Sequence, residues 1–122
     1  HKSKFANEII HPGYVEQTDI PAIFQAAAAF VFPSFYEGFG IPVLEAFASG
    51  VPVITSKKSS TEEIAGDAAV LVDPQDIEDM ADAMQLLLTD FDARQKLIEK
   101  GRMRIQDFSW QKCAEETLKV LL

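Results

Sequence analysis

The chain has 122 residues, of which 48% are hydrophobic and 25% are charged, and its formal net charge is −8. This length accommodates one modest domain with its own core, and the composition excludes a disordered chain. An acidic chain has no electrostatic attraction to nucleic acid or to anionic lipid, so we expect no nucleic-acid partner. Any phosphate that it binds must be held locally, by free backbone N–H groups or a helix N-terminus.

Cysteine content and hydropathy indicate the compartment. The single cysteine, Cys113, cannot form an internal disulfide, which favours a reducing environment, and we expect it to be a small buried hydrophobe. The segment His1 to Asn7 is polar and basic and does not resemble a secretory signal. No apolar run reaches the roughly 20 residues that span a bilayer. We therefore predict a cytoplasmic protein without a transmembrane segment; a longer parent protein can sit at the membrane peripherally.

The first third of the chain alternates short apolar stretches with one helical stretch. Glu8 to His11 is apolar in its middle and ends at a Pro-Gly turn, which predicts a strand. Thr18 is expected to cap a helix over the alanine-rich run from Ile20 to Ala29. Phe30 to Phe32 is a compact apolar run, and such runs are typical of strands buried on both faces.

The middle of the chain continues the alternation of strand and helix. Pro42 suits the start of a helix and Gly50 the position just past its end. The elements that we expect here are a loop at 34–41, a helix from Pro42, a strand at Val51 to Thr55, a helix at Thr61 to Ala65 and a strand at Val70 to Val72. This order predicts an α/β fold with a parallel sheet flanked by helices.

The final third is predicted to be helical. Asp73 is expected to cap a helix whose inward stripe contains Ile77, Met80, Ala81, Met84, Leu87 and Leu88. A second helix is expected from Asp92 to Gln106. Ser109 should cap a closing helix through Leu122, with an inner face of Trp110, Cys113, Ala114, Leu118 and Leu121.

The loop at 34–41 has the features of a ligand site. It follows a strand of the predicted parallel sheet, at the edge where such sheets bind ligands. Gly38 and Gly40 allow a ligand to approach the main chain, and the helix after them offers unpaired N–H groups. Glu37 and Glu45 can each accept two hydrogen bonds from a vicinal diol such as that of ribose or a sugar. Because 19 residues are acidic, the glutamate pair alone is a weak signal.

The longer string is more specific. Residues 33–56, PSFYEGFGIPVLEAFASGVPVITS, resemble the signature of the retaining, nucleotide-sugar-dependent glycosyltransferases of family 4, also called group 1, which have the GT-B fold. That signature has two glutamates separated by seven residues, and Glu37 and Glu45 match it. The resemblance extends to three flanking segments, HPGYV at 11–15, EIAGDAAVLVDP at 63–74 and FSW at 108–110.

The resemblance implies a fold and a set of missing parts. It makes residues 1–122 a truncated C-terminal donor-binding domain, a partial Rossmann-like half of a GT-B fold in which 107–122 form the closing helix. The family's first two strand–helix units, with a glycine-rich turn and a Lys/Arg pair for the diphosphate, are then expected to be missing. So is the N-terminal acceptor domain. Lys57 and Lys58 lie in a different loop and are not assigned the role of that pair.

The resemblance also implies roles for individual residues. Glu45 would accept hydrogen bonds from the donor's ribose diol, and Glu37 would be the catalytic residue, touching hydroxyls of the transferred sugar. Tyr14 and Val15 would border the base. Main-chain groups facing the sugar hydroxyls and the diphosphate would come from Gly38, Phe39, Gly40, Ile41, Val43 and Leu44.

The implied reaction transfers a hexose from a nucleoside-diphosphate sugar to an acceptor hydroxyl with retention of anomeric configuration. The resemblance implies no cofactor and no metal ion, and we expect the isolated chain to be inactive. Two alternatives stay open. One is a non-catalytic nucleotide-sugar-binding or assembly module with the same fold, and the other is a different GT-B enzyme such as a sugar-nucleotide epimerase.

A missing pair of strands would also expose an edge of the sheet. In the doubly wound strand order 3-2-1-4-5-6, the missing strands would lie between the strand at Glu8 to His11 and the strand at Phe30 to Phe32. The latter would then be an open edge with unpaired backbone groups. We expect self-association, swapping or re-pairing of the first strand as the result.

Overall fold

The computed structural model describes residues 3–122. Its centre is a three-stranded parallel sheet in the order β1-β2-β3, formed by β1 (Phe30–Phe32), β2 (Val53–Ser56) and β3 (Ala69–Val72). The α-helices are α1 (Ile20–Ala26), α2 (Ile41–Ala48), α3 (Ser60–Ala65), α4 (Ile77–Thr89), α5 (Phe91–Arg104) and α6 (Trp110–Leu121). Short 3-10 turns lie at Ala6–Glu8 and Ile105–Asp107. The predicted α/β class and parallel sheet are confirmed.

The central strand β2 is buried along its whole length and separates two apolar clusters. Alternate residues of a strand point to opposite faces, so Val53 packs on one face and Ile54 on the other. Val53 joins a cluster with α2 and α3, and Ile54 joins one with α4. The sheet is therefore covered by helices on both faces, as is usual for parallel sheets.

Helices α2 and α5 approach each other closely at one glycine. Gly101, in the last turn of α5, is buried beneath the ring of Phe47 from α2. A Cβ atom placed on Gly101 would lie 2.7 Å from Cδ1 of that ring, which is closer than a carbon–carbon contact allows. The absence of a side chain at Gly101 thus permits this helix packing.

Two helix caps in the second half have the expected chemistry, although one of them lies at an unexpected residue. Ser109 caps α6 by accepting the N–H of Lys112, as predicted. Asp73 does not cap α4: its carboxylate accepts the N–H of Gln75 inside the preceding turn. Asp76 is the cap instead, accepting the N–H groups of residues 78 and 79 at 3.0 and 3.1 Å. The Asp73-Pro74 turn therefore delays the helix by three residues.

Two predictions for the first half of the chain are wrong. Thr18 does not cap α1, whose N-cap residue is Asp19, without a side-chain hydrogen bond. The strand predicted at Glu8 to His11 is wrong, since this segment is a 3-10 turn followed by unpaired backbone, with Ile10 84% exposed. No strand of residues 3–122 lies beside β1 on its outer side, and a strand without a partner is not stable in water.

The open edge itself agrees with the prediction. β1 occupies one end of the sheet, and its only neighbour among the described strands is β2. Its residues are half-buried rather than buried on both faces, because helices cover them incompletely. The predicted re-pairing of the first strand does not occur within residues 3–122.

Two predicted helix faces are wrong in part. On α4 the buried residues are Ala83 and Leu87, and Met80 is half-buried. The other predicted members of the stripe are exposed: Ile77, Ala81, Met84 and Leu88. On α6 no residue is buried, Trp110 is 81% exposed and Cys113 is also exposed. None of the described elements covers the apolar face of α6, so its amphipathic pattern has no core to face. Within residues 3–122, each helix is too short or too polar to span a bilayer.

Candidate functional site

The candidate site lies where β1 ends and α2 begins. The chain leaves β1 at Phe32, crosses the loop, and enters α2 at Ile41, one residue before the predicted start. Because the three strands are parallel, the start of α3 after β2 lies at the same edge of the sheet. This edge, beyond the carboxyl ends of the strands, is where open parallel sheets bind ligands.

Gly40 is the residue that turns the chain into α2. It is the N-cap and has φ +113°, a backbone conformation that residues with a Cβ rarely adopt. A Cβ atom there would also lie 3.0 Å from the Cγ2 methyl of Thr61, the buried second residue of α3. The glycine therefore permits both the turn and the close contact with α3.

The turn at Gly40 leaves main-chain N–H groups of the described chain available as hydrogen-bond donors. Among residues 3–122, no acceptor takes a hydrogen bond from the N–H groups of Phe39, Gly40 or Ile41. Val43 differs, because its N–H donates to the Gly40 carbonyl at 3.0 Å and its side chain is wholly buried. The helix start thus offers unpaired N–H groups and the positive end of its dipole to a ligand.

The two glutamates lie on either side of these donors in the chain. Glu37 and Glu45 are both half-buried, and neither carboxylate accepts a hydrogen bond or forms an ion pair with another residue of the described chain. Gly38, next to Glu37, is exposed, with open space where a Cβ would stand. Both carboxylates keep their full capacity to accept hydrogen bonds from a ligand.

Glu45 borders two hollows. The smaller, of about 270 Å³, lies against α1 and is lined by Ile20, Phe24 and Gln25, among others. The larger is a mostly apolar groove of about 760 Å³ between α2 and α6, a volume in the range of small-molecule sites. The predicted residues Phe39, Ile41 and Leu44 line that groove beside Glu45.

Six predicted residues do not line the groove: Glu37, Gly38, Gly40 and Val43 near the turn into α2, and Tyr14 and Val15 before α1. Tyr14 is 85% exposed in the irregular segment before α1, and Val15 beside it is half-buried. Neither lines either hollow. Their assignment to the base remains a prediction.

Sequence reasoning missed the residues that support the loop. The hydroxyl of Ser60 donates to the main-chain carbonyl of Glu37 at 2.7 Å, and the ring of Phe108 meets that of Phe39 at 6.1 Å, edge to face. A signal for Ser60 was present, because the residues after β2 should meet those after β1 at one edge of the sheet. Phe108 lies far along the chain and had no such signal.

Lys57, at the end of β2, is engaged by another element. Its amine lies 3.2 Å from the carboxylate of Asp79 on α4. Two hydrogen bonds to the Asp79 carboxylate hold its pKa below the ordinary value. The larger effect comes from the Asp73 N–H and the next from the Lys57 amine. Within residues 3–122, no three His, Cys, Asp or Glu side chains cluster as metal ligands would.

Comparison with known proteins identifies the family. Residues 1–104 match the sequence profile of the family described as glycosyl transferases group 1. The chain belongs to this family. Relatives of the group 1 glycosyltransferase include O-antigen chain mannosyltransferase B of Escherichia coli, 41% identical over 106 residues, and glycogen synthase of Mycobacterium tuberculosis, 37% identical over 113 residues.

Solved structures agree on the fold. Sucrose-phosphate synthase from Thermosynechococcus elongatus superposes with a TM-score of 0.79 at 32% identity, covering 89% of this chain and 28% of that one. A trehalose-phosphate synthase from Burkholderia vietnamiensis has a TM-score of 0.77 at 21% identity, covering 89% of this chain and 26% of its own, and shows the fold alone. The chain is thus part of a GT-B architecture with a Rossmann-like parallel sheet.

This group 1 glycosyltransferase chain corresponds to a minority of each relative. It spans 28% of the length of the E. coli mannosyltransferase and 27% of the mycobacterial glycogen synthase, while 87% and 90% of the chain is matched.

Proposed function

We propose that this chain binds the donor of a retaining hexosyltransferase of glycosyltransferase family 4. The observation that supports this most directly is the start of α2, where the N–H groups of Phe39, Gly40 and Ile41 lie in sequence between two carboxylates, all without partners among residues 3–122. A nucleoside-diphosphate sugar has the complementary groups: hydroxyls that donate to carboxylates, and phosphate oxygens that accept from N–H groups.

The roles follow from this chemistry. Glu45 accepts the ribose hydroxyls and Glu37 accepts hydroxyls of the transferred sugar, where it acts as the catalytic residue. The N–H groups of 38–41 and 43–44 face the sugar hydroxyls and diphosphate, with the contribution of Val43 limited by its bond to Gly40. Tyr14 and Val15 border the base.

The helix start also suits the chemical step. As the bond between the sugar and the diphosphate breaks, negative charge grows on the departing diphosphate. Unpaired N–H groups and the positive end of the α2 dipole stabilise that charge without a metal ion or cofactor. The hexose passes to an acceptor hydroxyl with its anomeric configuration retained.

Since the chain spans 28% of the length of the E. coli mannosyltransferase, we place the acceptor site in another part of a longer polypeptide. The isolated chain then binds donor but does not transfer sugar. The larger groove, with Glu45 on its wall, adjoins the donor site.

Replacing Glu45 tests donor binding. Calorimetry with uridine, guanosine and adenosine diphosphates and their hexose conjugates should show binding of at least one pair by the unaltered chain. Glu45→Gln replaces a charged acceptor that takes hydrogen bonds from two hydroxyls. Each hydrogen bond to a charged group contributes about 1.5–3 kcal/mol, so the Kd should rise about tenfold or more. Glu99→Gln, at an exposed position of α5, is the control and should leave the Kd unchanged.

No binding by the unaltered chain, or equal affinity in Glu45→Gln, would contradict the proposed donor site. Transfer itself is tested in a chimera in which the chain through Phe108 replaces the matching segment of the E. coli mannosyltransferase. Product formation with retained anomeric configuration, followed by NMR, supports a catalytic domain. Donor binding without transfer supports a binding module instead.

A further inference from the structure

We infer that Ser60 is a positioning residue that fixes the loop containing Glu37. This inference rests on the proposed function, because it concerns how the donor-binding loop is kept in its binding geometry. The Ser60 hydroxyl, half-buried at the start of α3, donates to the main-chain carbonyl of Glu37 at 2.7 Å. The two residues are 23 positions apart and follow neighbouring strands.

The loop has few other supports. The remaining side-chain hydrogen bond within 34–40 is local, from the Ser34 hydroxyl to the Tyr36 carbonyl at 3.1 Å. In the described part of the chain, one other hydrogen bond joins residues 34–40 to an element, from the Val43 N–H of α2 to the Gly40 carbonyl, so the Ser60 bond is the only one that reaches the Glu37 end of the loop. Gly38 is exposed and adds no packing. The position of the Glu37 peptide therefore depends on this hydroxyl.

Ser60 can serve as a fixed donor because α3 is secured at both ends. At its start, Thr61 is fully buried, its hydroxyl bonds the Ser56 carbonyl at 3.3 Å, and its methyl packs against Gly40. At its end, the guanidinium of Arg104 donates from Nε to the Ile64 carbonyl at 2.9 Å. Arg104 Nη2 donates to the neighbouring Glu63 carbonyl at 2.8 Å. The helix therefore cannot shift without breaking several bonds.

The same arginine supports the loop by a second route. Its guanidinium lies 4.9 Å from the centre of the Phe108 ring, and the edge-to-face contact of Phe108 with Phe39 continues to the loop. Phe39 is thus supported through an aromatic contact, and Glu37 through Ser60. Loss of the Ser60 hydroxyl would leave the aromatic contact in place and release the peptide that bears Glu37.

Two adjacent serines allow a matched test. Ser59 caps α3 by accepting the Thr61 N–H at 3.3 Å, whereas Ser60 bonds the loop. Ser60→Ala should raise the Kd of the best-binding nucleotide sugar about 3- to 10-fold and change Tm little, because one neutral hydrogen bond is lost. Ser60→Thr keeps the hydroxyl and should restore most of the affinity. Ser59→Ala should lower Tm and leave the Kd within about twofold, since the cap contributes mainly to α3 stability.

The motion of the loop can also be measured directly. Nitrogen-15 relaxation and amide exchange of Gly38, Phe39 and Gly40 in the free chain should show increased motion in Ser60→Ala and unaltered motion in Ser60→Thr. Unchanged loop motion in Ser60→Ala, or an equal loss of affinity in Ser59→Ala, overturns the role of Ser60. If the unaltered chain binds no nucleotide sugar but Ser60→Ala still frees the loop, the proposed function fails and the loop contact stands.

Discussion

At the scale of single residues, the geometry of the site depends on Gly40. Its left-handed backbone turns the chain from the loop into α2 and leaves the N–H groups of 39–41 without acceptors among the described residues. Its missing side chain admits the methyl of Thr61, so α3 and the loop are in contact. One position thus sets the start of the helix and the distance between two elements.

Gly40→Ala is expected to lower the free energy of unfolding by about 2 kcal/mol. A left-handed conformation costs a residue with a Cβ about 1–2 kcal/mol, and the new Cβ would lie 3.0 Å from Thr61 Cγ2. Urea denaturation measures the loss. Gly38→Ala is the matched control, because its Cβ would meet open space, and its stability should stay within about 0.5 kcal/mol of the unaltered chain. Equal losses in the two variants would show that Gly40 has no special role.

The sequence was sufficient to place the glutamates and glycines at a strand–helix junction, because proline, glycine and apolar runs act locally. It indicated that the residues after β2 meet the loop but did not single out Ser60, and it gave no signal for Arg104 as a support. Their partners lie 23 and 40 residues away in the chain, and such contacts depend on how elements pack. The positions of Tyr14 and Val15 relative to a base stay a prediction for the same reason.

At the scale of elements, the packing of α2 on α5 explains a glycine inside a helix. Glycine in a helix interior costs about 1 kcal/mol relative to alanine, so its presence at Gly101 requires a compensating contact. That contact is the ring of Phe47, which is nearly inaccessible to solvent. The close approach brings α5, and with it Arg104, next to α3.

Gly101→Ala is expected to lower stability by about 1–2 kcal/mol despite the better helix propensity. Overpacking in a core costs about 1–3 kcal/mol, and the new Cβ would lie 2.7 Å from the Phe47 ring. The control is the same change in a Phe47→Leu background, where a smaller side chain leaves room. There Gly101→Ala should be neutral or stabilising, as thermal or urea denaturation would show. An equal cost in both backgrounds would mean that the ring contact is not the cause.

Helix ends depend on neighbouring residues, and the start of α2 and the cap of α6 were predicted within one residue. The caps predicted at Thr18 and Asp73 were wrong, because the helices begin one and three residues later than those caps require. Which face of a helix is buried was less predictable. The α4 stripe of Ile77 and Leu88 is exposed because the sheet lies against Ala83 and Leu87. A strand at Glu8 to His11 needs a neighbour that residues 3–122 do not provide.

At the scale of the whole molecule, the sheet ends at an unprotected strand. Phe30 of β1 donates its N–H to the Pro52 carbonyl at 2.9 Å, so the N–H and C=O of Val31 point away from β2. Half-buried apolar side chains flank these unpaired groups. Edges of this kind pair with other chains unless they are covered.

We expect the 122-residue chain to associate as its concentration rises. Sedimentation velocity over a hundredfold range of concentration should show a growing weight-average sedimentation coefficient. Val31→Pro removes an N–H that β2 does not use, and proline is tolerated on edge strands, so this variant should associate less. A monomer at every concentration would contradict the prediction, and unchanged association in Val31→Pro would show that another surface is responsible.

The contacts of Arg104 have a practical consequence for choosing where to cut the gene. The family match ends at this residue, yet the arginine's carboxylate partner, Asp107 at 2.8 Å, and its aromatic partner, Phe108, follow it in the chain. An expression clone trimmed to the matched segment would keep the guanidinium and discard both neighbours. The smallest piece worth purifying for ligand screening therefore stops no earlier than Phe108.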